Sequence, residues 1–465
     1  MVNSIWNNFW NRTNNGNPED NQQASNLRQY FITAIVSLNF LINGAHYGWP
    51  SPSLPYLKNG LGTPYKITED QAYWIISLIP IGSFVGCIVF PFLGDIIGRK
   101  WLVIFIAFGN FIGWVLIGFA DNIAAIYIGR FSAGLVDGVC LMLPMYLAEI
   151  VNSNIRGTMI SIALMNFVMG LLLINILEIF MHVPLTAKIL SVVTIIFFLS
   201  SLWIPESPYF LLMKKKDEEA KETLRWLRGT TDIDEEYNRI FEAISNKVEL
   251  KEIFLSKQNR RGLLIVVVLR ITQEMIGISA IIFHLQEILQ ETGYNVSSTV
   301  TSTVYLVIQN VIDLFSLKFA DHFGRRPLIF ISLSCAGTSI FIVGTYFYFK
   351  NETQIDMSRL AFTPMLALII YIASYAIGMQ QMPSIYISEV FTPQMKGAAY
   401  SIYIVVYSAI IMIENEFFTR IKQNFGICFS FYGFALFAVA GLVFAIYFVP
   451  ETKGKTIEEI QEDLK

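Results

Sequence analysis

The sequence predicts an all-α membrane protein: twelve transmembrane helices in two pseudo-symmetric six-helix bundles, with cytoplasmic linker helices between them. Three observations predict it. The 465 residues are 54% hydrophobic and only 15% charged, with a mean hydropathy of +0.52, whereas a soluble protein carries about 25% charged residues. The apolar residues fall in runs long enough to cross about 30 Å of hydrocarbon at about 1.5 Å per residue. At that length only helices satisfy their own backbone groups in lipid. The chain also says the same thing twice. Asp95-Ile96-Ile97-Gly98-Arg99-Lys100 returns as Asp321-His322-Phe323-Gly324-Arg325-Arg326. Tyr146 and Glu149 followed by Arg156-Gly157 return as Tyr386 and Glu389 followed by Lys396-Gly397, and Pro205-Glu206-Ser207 returns as Pro450-Glu451-Thr452. Charged signatures recurring in one order imply two related halves.

In chain order, residues 1–28 are polar and Asn-rich, without an apolar core, and are expected to be a disordered cytoplasmic N-terminus rather than a signal peptide. Residues 29–204 hold six spans, near 30–50, 72–93, 101–120, 123–147, 157–181 and 188–204. Residues 205–261 mix charges at helical spacing, as in Asp217-Glu218-Glu219-Ala220-Lys221-Glu222, and read as linker helices. Residues 262–449 hold six more spans, near 262–290, 298–320, 327–349, 361–386, 397–419 and 427–449, and 450–465 form a short cytoplasmic tail. Lys and Arg gather in the even-to-odd connections and the linker, which predicts a multi-pass protein with both termini cytoplasmic. The plasma membrane is the expected location. The sequons at Asn295 and Asn351 then lie outside, as candidate glycosylation sites.

Several classes lose support. The net charge of −3 is segregated, and no basic stripe interleaves with aromatics, so nucleic acid is not an expected partner. The four cysteines lie in apolar runs without metal-ligand spacing and read as buried apolar residues. There is no nucleotide-binding loop, metal cluster or nucleophile motif, so no enzyme, metal or cofactor is expected. The expected partners are a small-molecule substrate and the lipid bilayer, with no obligate protein partner.

The doubled motifs resemble the sugar porter family of the major facilitator superfamily over residues 30–462. Gly129-Arg130-Phe131, Pro205-Glu206-Ser207-Pro208, Gln273-Glu274-x-x-Gly277-Ile278 and Pro450-Glu451-Thr452-Lys453-Gly454 add to the resemblance. Gly48-Trp49-x-Ser51-Pro52 and Trp226-Leu227-Arg228-Gly229 look most like the insect branch that includes facilitated trehalose transporters. The resemblance implies the major facilitator fold and facilitative transport of a sugar or polyol by alternating access. A proton-coupled symporter and a non-transporting sensor are the alternatives. The sensor is disfavoured because the chain stops soon after its last span.

The resemblance also implies that Asp95, Arg99, Glu149, Arg156 and Glu206, mirrored by Asp321, Arg325, Glu389, Lys396 and Glu451, form cytoplasmic ion pairs that lock the inner face and break on opening. Individually, such exposed pairs contribute only about 0–1 kcal/mol, so gating needs a network. The chain departs from the family at Ile96 and His322, where Arg is usual, and at Lys396, which loses the bidentate fork of Arg.

A sugar needs amides or carboxylates for its hydroxyls and aromatics for its ring faces. The expected substrate contacts are Gln273, Glu274, Ser279, Phe283, Gln309, His46, Gln381, Ser384 and Tyr407. Gln273 and Glu274 stand where the family pairs glutamines, Ser279 and Gln309 where it has Asn, and Ser384 where it has a stacking Trp. His46, Arg130, Asp137 and Asp313 are candidates for proton linkage, His46 standing where proton-coupled relatives carry an Asp. The blander reading of His46 is a neutral pore-lining residue in a uniporter, which is the expected mode.

Overall fold

The computed structural model describes residues 18–60, 66–140, 142–245, 253–293, 296–353, 355–455 and 457–464. Among these residues the chain is helical, with no strand. The first half comprises α1 (Pro18–Gly48), α2 (Pro50–Asn59), α3 (Glu69–Ile97), α4 (Arg99–Gly118), α5 (Ile123–Cys140), α6 (Leu143–Ile150), α7 (Ser153–Phe180) and α8 (Val183–Ser201). Three short helices follow, α9 (Pro208–Met213), α10 (Asp217–Arg228) and α11 (Asp234–Ser245). The second half comprises α12 (Lys257–Met275), α13 (Ile278–Glu291), α14 (Ser298–Phe323), α15 (Arg325–Glu352), α16 (Thr363–Ile377), α17 (Met382–Val390), α18 (Pro393–Phe425) and α19 (Ile427–Phe448), and α20 (Ile457–Asp463) closes the chain.

Among the described residues, ten helical stretches are long and apolar enough to cross a membrane. The other two long helices are α1, with 31 residues, and α14, with 26. Both are richer in polar residues; α1 buries Gln29, Thr33, Asn39, Asn43 and His46, and α14 buries Thr301, Ser302, Gln309 and Asp313. Polar side chains are costly against lipid and are kept where protein or a cavity receives them.

Three spans expected to be continuous are broken: the fourth ahead of Pro144, the seventh at Ile276-Gly277 and the tenth ahead of Pro383, while the first ends at Gly48 near its expected bound and a short helix, Pro50–Asn59, follows. Proline suits the first turn of the restarted helix because its missing N–H would be unpaired there anyway. Gly277 sits at φ +95°, a backbone conformation that side chains resist. An unbroken apolar run hides these interruptions, so hydropathy alone passes over them. Irregular backbone at membrane depth survives where it is buried in protein or lines a cavity.

The N-terminal expectation needs correction. Residues 18–28 are not disordered but helical, as the start of α1, while residues 1–17 lie outside the described residues. The reason is docking. The Ser25 hydroxyl and the Gln29 amide donate to the carbonyl of Leu227, and the Arg28 guanidinium donates to that of Trp226 while lying over its ring. The linker has its own small core of Leu211, Leu212, Ala220, Leu224, Ile233 and Ile240. The cysteines also divide: Cys87 and Cys428 are buried, but Cys335 is exposed on α15.

The halves meet through α2 against α13, α3 against α18, and α7 against α14. The polar contacts that join them lie away from the end carrying the linker. Lys58 pairs with Glu287 at 3.2 Å, and Gln286 N–H donates to Ser51 Oγ at 3.2 Å. Ser302 donates to Asn175 at 3.2 Å, Asn415 donates to Ser77 at 2.9 Å, and Tyr73 donates to Glu416.

Candidate functional site

The repeated charged signatures build the same structure twice at the linker end. In the first half, Glu149 on α6 takes the Arg99 guanidinium at 3.6 Å and the Ser207 hydroxyl. In the second, Glu389 on α17 takes Arg325 at 2.8 Å and the Thr452 hydroxyl. Glu206 accepts from the backbone N–H of Arg99 at 2.9 Å and of Lys100 at 3.1 Å; Glu451 accepts from those of Arg325 at 3.0 Å and Arg326 at 2.9 Å. Tyr146 donates to the carbonyl of Pro205 and Tyr386 to that of Pro450, both at 2.7 Å. Each of these bonds joins partners within one half.

The glycine before each basic pair has a reason. Gly98 (φ +105°) and Gly324 (φ +89°) turn the chain between helices. A Cβ on Gly98 would sit 2.2 Å from Glu206 Oε2, and one on Gly324 would sit 3.0 Å from Glu451 Oε2. The glutamate reaches the backbone because nothing stands in its way.

The mirrored glutamates differ electrostatically. Burial pushes the Glu206 carboxyl up, against the N–H bonds from Ser207, Lys100 and Arg99 that favour the anion. Burial acts the same way on Glu451, but N–H donors from Lys453, Arg325, Arg326 and Thr452 outweigh it, and its carboxyl sits below the ordinary value. Of the other expected belt residues, Arg156 turns onto the carbonyl of Val151 at 3.4 Å, and Lys396 makes no ion pair among the described residues. The side chains of Asp95 and Asp321 lie outside the described ones.

In the second half, α12 supplies a charged cluster centred on Arg270. Arg270 pairs with Glu274 at 3.0 Å, donates to Gln273 Oε1, and lies 3.7 Å from the centre of the Tyr407 ring. Ser279 Oγ donates to the second Glu274 oxygen at 2.9 Å. Gln273 Nε2 reaches the Gln380 carbonyl at 3.0 Å and the Tyr375 hydroxyl at 3.3 Å, across the break between α16 and α17. Arg270 also lies 5.0 Å from the Tyr403 ring, and the Tyr403 hydroxyl is 3.4 Å from that of Ser384. Four of the nine expected contacts (Gln273, Glu274, Ser279 and Tyr407) thus gather around Arg270, and Ser384 reaches the group through Tyr403. Arg270 was legible in principle: it is a lone cation in the apolar run Val266-Val267-Val268-Leu269-Arg270, one turn before the Gln273-Glu274 pair.

The remaining expectations divide. Gln309 and Asp313 are buried one turn apart on α14, and Asp313 has the Gln380 amide beside it. Gln381 is half-buried at the start of α17. Phe283 is fully buried and stacks on Tyr47 of the other half at 5.7 Å, so it offers no free face to a ring.

His46 needs correction. It stacks on Trp114 of α4 at 4.0 Å inside the first half and is fully enclosed there. Periodicity gives its helix face but not which neighbour covers that face. Arg130 likewise straps helices together, donating to the carbonyls of Ile75 and His46 and lying 5.4 Å from the Trp49 ring. Asp137 is held by Tyr47 at 2.9 Å and Asn43 at 3.2 Å. Asn351 is exposed in the last turn of α15, and Asn295 lies outside the described residues.

A cavity of about 420 Å³ opens between α1 and α7, lined by Thr33, Ser37, Leu41, Met159, Ile162 and Asn166. Among the described residues, no group of three His, Cys, Asp or Glu is placed to hold a metal.

Residues 29–464 match the profile of a family described as sugar (and other) transporter. The chain is similar to the facilitated trehalose transporter of Polypedilum vanderplanki, 28% identical over 444 residues, covering 94% of this chain and 88% of that protein. It is 28% identical to that of Aedes aegypti, again over 94% of this chain but only 55% of the relative's length. Among solved structures it is similar to the inward-open xylose transporter XylE from E. coli, with a TM-score of 0.77 at 22% identity over 94% of this chain and 100% of that one. The partially occluded inward-open form gives 0.76 at 22% identity over 92% and 99%.

Proposed function

The chain belongs to the sugar (and other) transporter family, and from that premise we propose that it is a facilitative carrier moving a sugar or sugar-like polyol down its gradient by alternating access. It is a multi-pass membrane transporter of the major facilitator fold, and its family is not one of enzymes. One observation supports the mechanism most. The ion pair Lys58–Glu287 and the Asn415–Ser77 bond join the halves at one end, while Arg99–Glu149 and Arg325–Glu389 staple each half internally at the other. Two internally stapled bodies joined at one end can rock against each other.

The proposed binding set is Arg270, Gln273, Glu274, Ser279, Gln309, Gln380 and Tyr407. Amide and carboxylate groups take hydroxyls, and Tyr407 offers a stacking face. Uniport is the preferred mode because His46 and Arg130 are committed to helix packing. On the basic-residue bias, both termini face the cytoplasm of a cell-surface protein and Asn351 faces outside. The belt is best read as a staple within each half, supported by the mirrored Arg99–Glu149 and Arg325–Glu389 pairs.

The test is uptake into proteoliposomes containing the purified full chain, with a panel of radiolabelled hexoses, disaccharides and polyols. Saturable uptake that exchanges with unlabelled internal sugar supports the reading. Background uptake of every compound by a well-folded preparation removes it.

A further inference from the structure

Glu414 on α18 is 0% exposed, and its hydrogen bond goes to another helix. That helix, α13, starts at Ile278, directly after the break at Ile276-Gly277. The first N–H groups of a helix have no partner within it, and an N-cap side chain ordinarily takes that of the second or third residue. The N-cap of α13 is Gly277, which has no side chain to do so. Glu414 Oε1 accepts the Ala280 N–H at 3.0 Å, with the Ser279 N–H directed at the same carboxyl group. Ser279 and Ala280 are the second and third residues of α13. A side chain 134 positions away thus supplies the cap that the helix's own N-cap lacks.

The capped turn leads straight into the Arg270 cluster. Ser279 Oγ donates to Glu274 at 2.9 Å, Glu274 pairs with Arg270 at 3.0 Å, and Arg270 lies 3.7 Å from the centre of the Tyr407 ring. Tyr407 precedes Glu414 on α18 by about two helical turns, so the two share one face of it. Tyr407 meets α12 before the break and Glu414 meets α13 after it, so α18 grips the interrupted span on both sides. The next residue, Asn415, donates to Ser77 of the first half at 2.9 Å, and the same turn of α18 therefore also touches the opposite half.

We propose that Glu414 is a positioning residue for substrate binding: by capping α13 from α18 it fixes Ser279, and through Ser279 it holds Glu274 in the arrangement that receives sugar hydroxyls. This rests on the carrier reading above and adds to it a residue that touches no substrate. The reach of the side chain is what counts. Oε2 of Glu414 has no hydrogen-bond partner, so one oxygen carries the contact. An amide of the same length can keep an oxygen there, whereas a carboxyl one methylene shorter draws its oxygen back from the Ala280 N–H.

The experiment measures uptake by the full chain in proteoliposomes, using whichever of radiolabelled D-glucose, sucrose and D-sorbitol the unmodified chain transports best, with melting temperatures in one detergent alongside. Glu414→Asp should raise the half-saturation concentration about three- to tenfold, the scale of one hydrogen bond, and leave the maximal rate per folded carrier within about twofold. Glu414→Gln should stay within about twofold of the unmodified chain in both. Ser279→Ala should raise half-saturation too, and adding Glu414→Asp to it should change half-saturation by less than about twofold, because the route is already cut. The proposal is overturned if Glu414→Gln does as much damage as Glu414→Asp, since charge rather than reach would then be at work. It is also overturned if Glu414→Asp lowers only the melting temperature, or keeps its full effect on top of Ser279→Ala. An unchanged half-saturation in Ser279→Ala alone overturns it as well, so the decision does not depend on a stable Glu414→Asp. Each of these failures leaves the carrier reading standing, whereas no uptake of any probe by a well-folded unmodified chain removes that reading and this role together.

Discussion

Lys58 and Glu287 belong to different halves and lie 3.2 Å apart at the end opposite the belt. Glu287 also takes Lys422 at 3.1 Å and the His284 ring at 2.8 Å, so one carboxylate ties α2, α13 and α18 together. These side chains are 22–24% exposed, so the Lys58–Glu287 coupling should be modest, about 0.5–1 kcal/mol. A double-mutant cycle of Lys58→Ala and Glu287→Ala checks it, read as labelling of a cysteine placed in the cavity from the Lys58 side. Opening should increase about two- to fivefold in Lys58→Ala and more in Glu287→Ala. No change in either variant would mean that apolar packing alone closes this end.

Glu149 and its partner Arg99 have 6% and 8% of their side chains exposed, against 22% and 13% for Glu389 and Arg325. Removing one partner of a buried pair leaves an uncompensated charge and costs about 3–5 kcal/mol. Glu149→Gln is therefore expected to lower thermal stability more than Glu389→Gln, measured as melting temperature in one detergent. Unchanged melting with faster transport in both variants would restore the role of a lock that breaks.

Glu206 and Glu451 should respond oppositely to acid. Glu451 sits below the ordinary carboxylate value, so its contribution is present above that value and lost as pH falls through its folded one. Glu206 sits above it, so its anion is disfavoured relative to the unfolded chain, and stability rises as pH falls through its folded value. Thermal melts against pH for Glu206→Gln and Glu451→Gln check this. Glu206→Gln should remove a gain that appears on mild acidification, and Glu451→Gln a loss that appears on stronger acidification. Identical profiles would contradict the asymmetry.

Gln273 and Glu274 are neighbours with different expected penalties. Gln273→Leu removes a hydrogen bond to a substrate hydroxyl and should raise the half-saturation concentration about two- to tenfold, since each such bond contributes about 0.5–1.5 kcal/mol. Glu274→Gln strands Arg270 in the membrane interior and should cost about 3 kcal/mol or more of stability, seen as poor yield and a lower melting point. If Glu274→Gln folds normally, Arg270 has another counter-charge.

The belt was legible in the sequence because its residues are charged, doubled and evenly spaced; the mirrored Glu206–Arg99 and Glu451–Arg325 bonds follow those repeats. The helix breaks were not, because Pro144 and Pro383 interrupt the backbone without interrupting the apolar run. Arg270 is one cation in an apolar run, and its sequence position does not show that Glu274, Gln273 and Tyr407 converge on it. A helical wheel gives the face of α1 that carries His46 but not that Trp114 covers it.

Glu206 and Glu451 grip main-chain N–H groups rather than side chains at 99, 100, 325 and 326. Every residue type except proline supplies that donor. The turn therefore survives drift in the letters around it, as Ile96 and His322 illustrate. Selection at these corners should act on the two glycines and the two glutamates and leave the positions between them open to change.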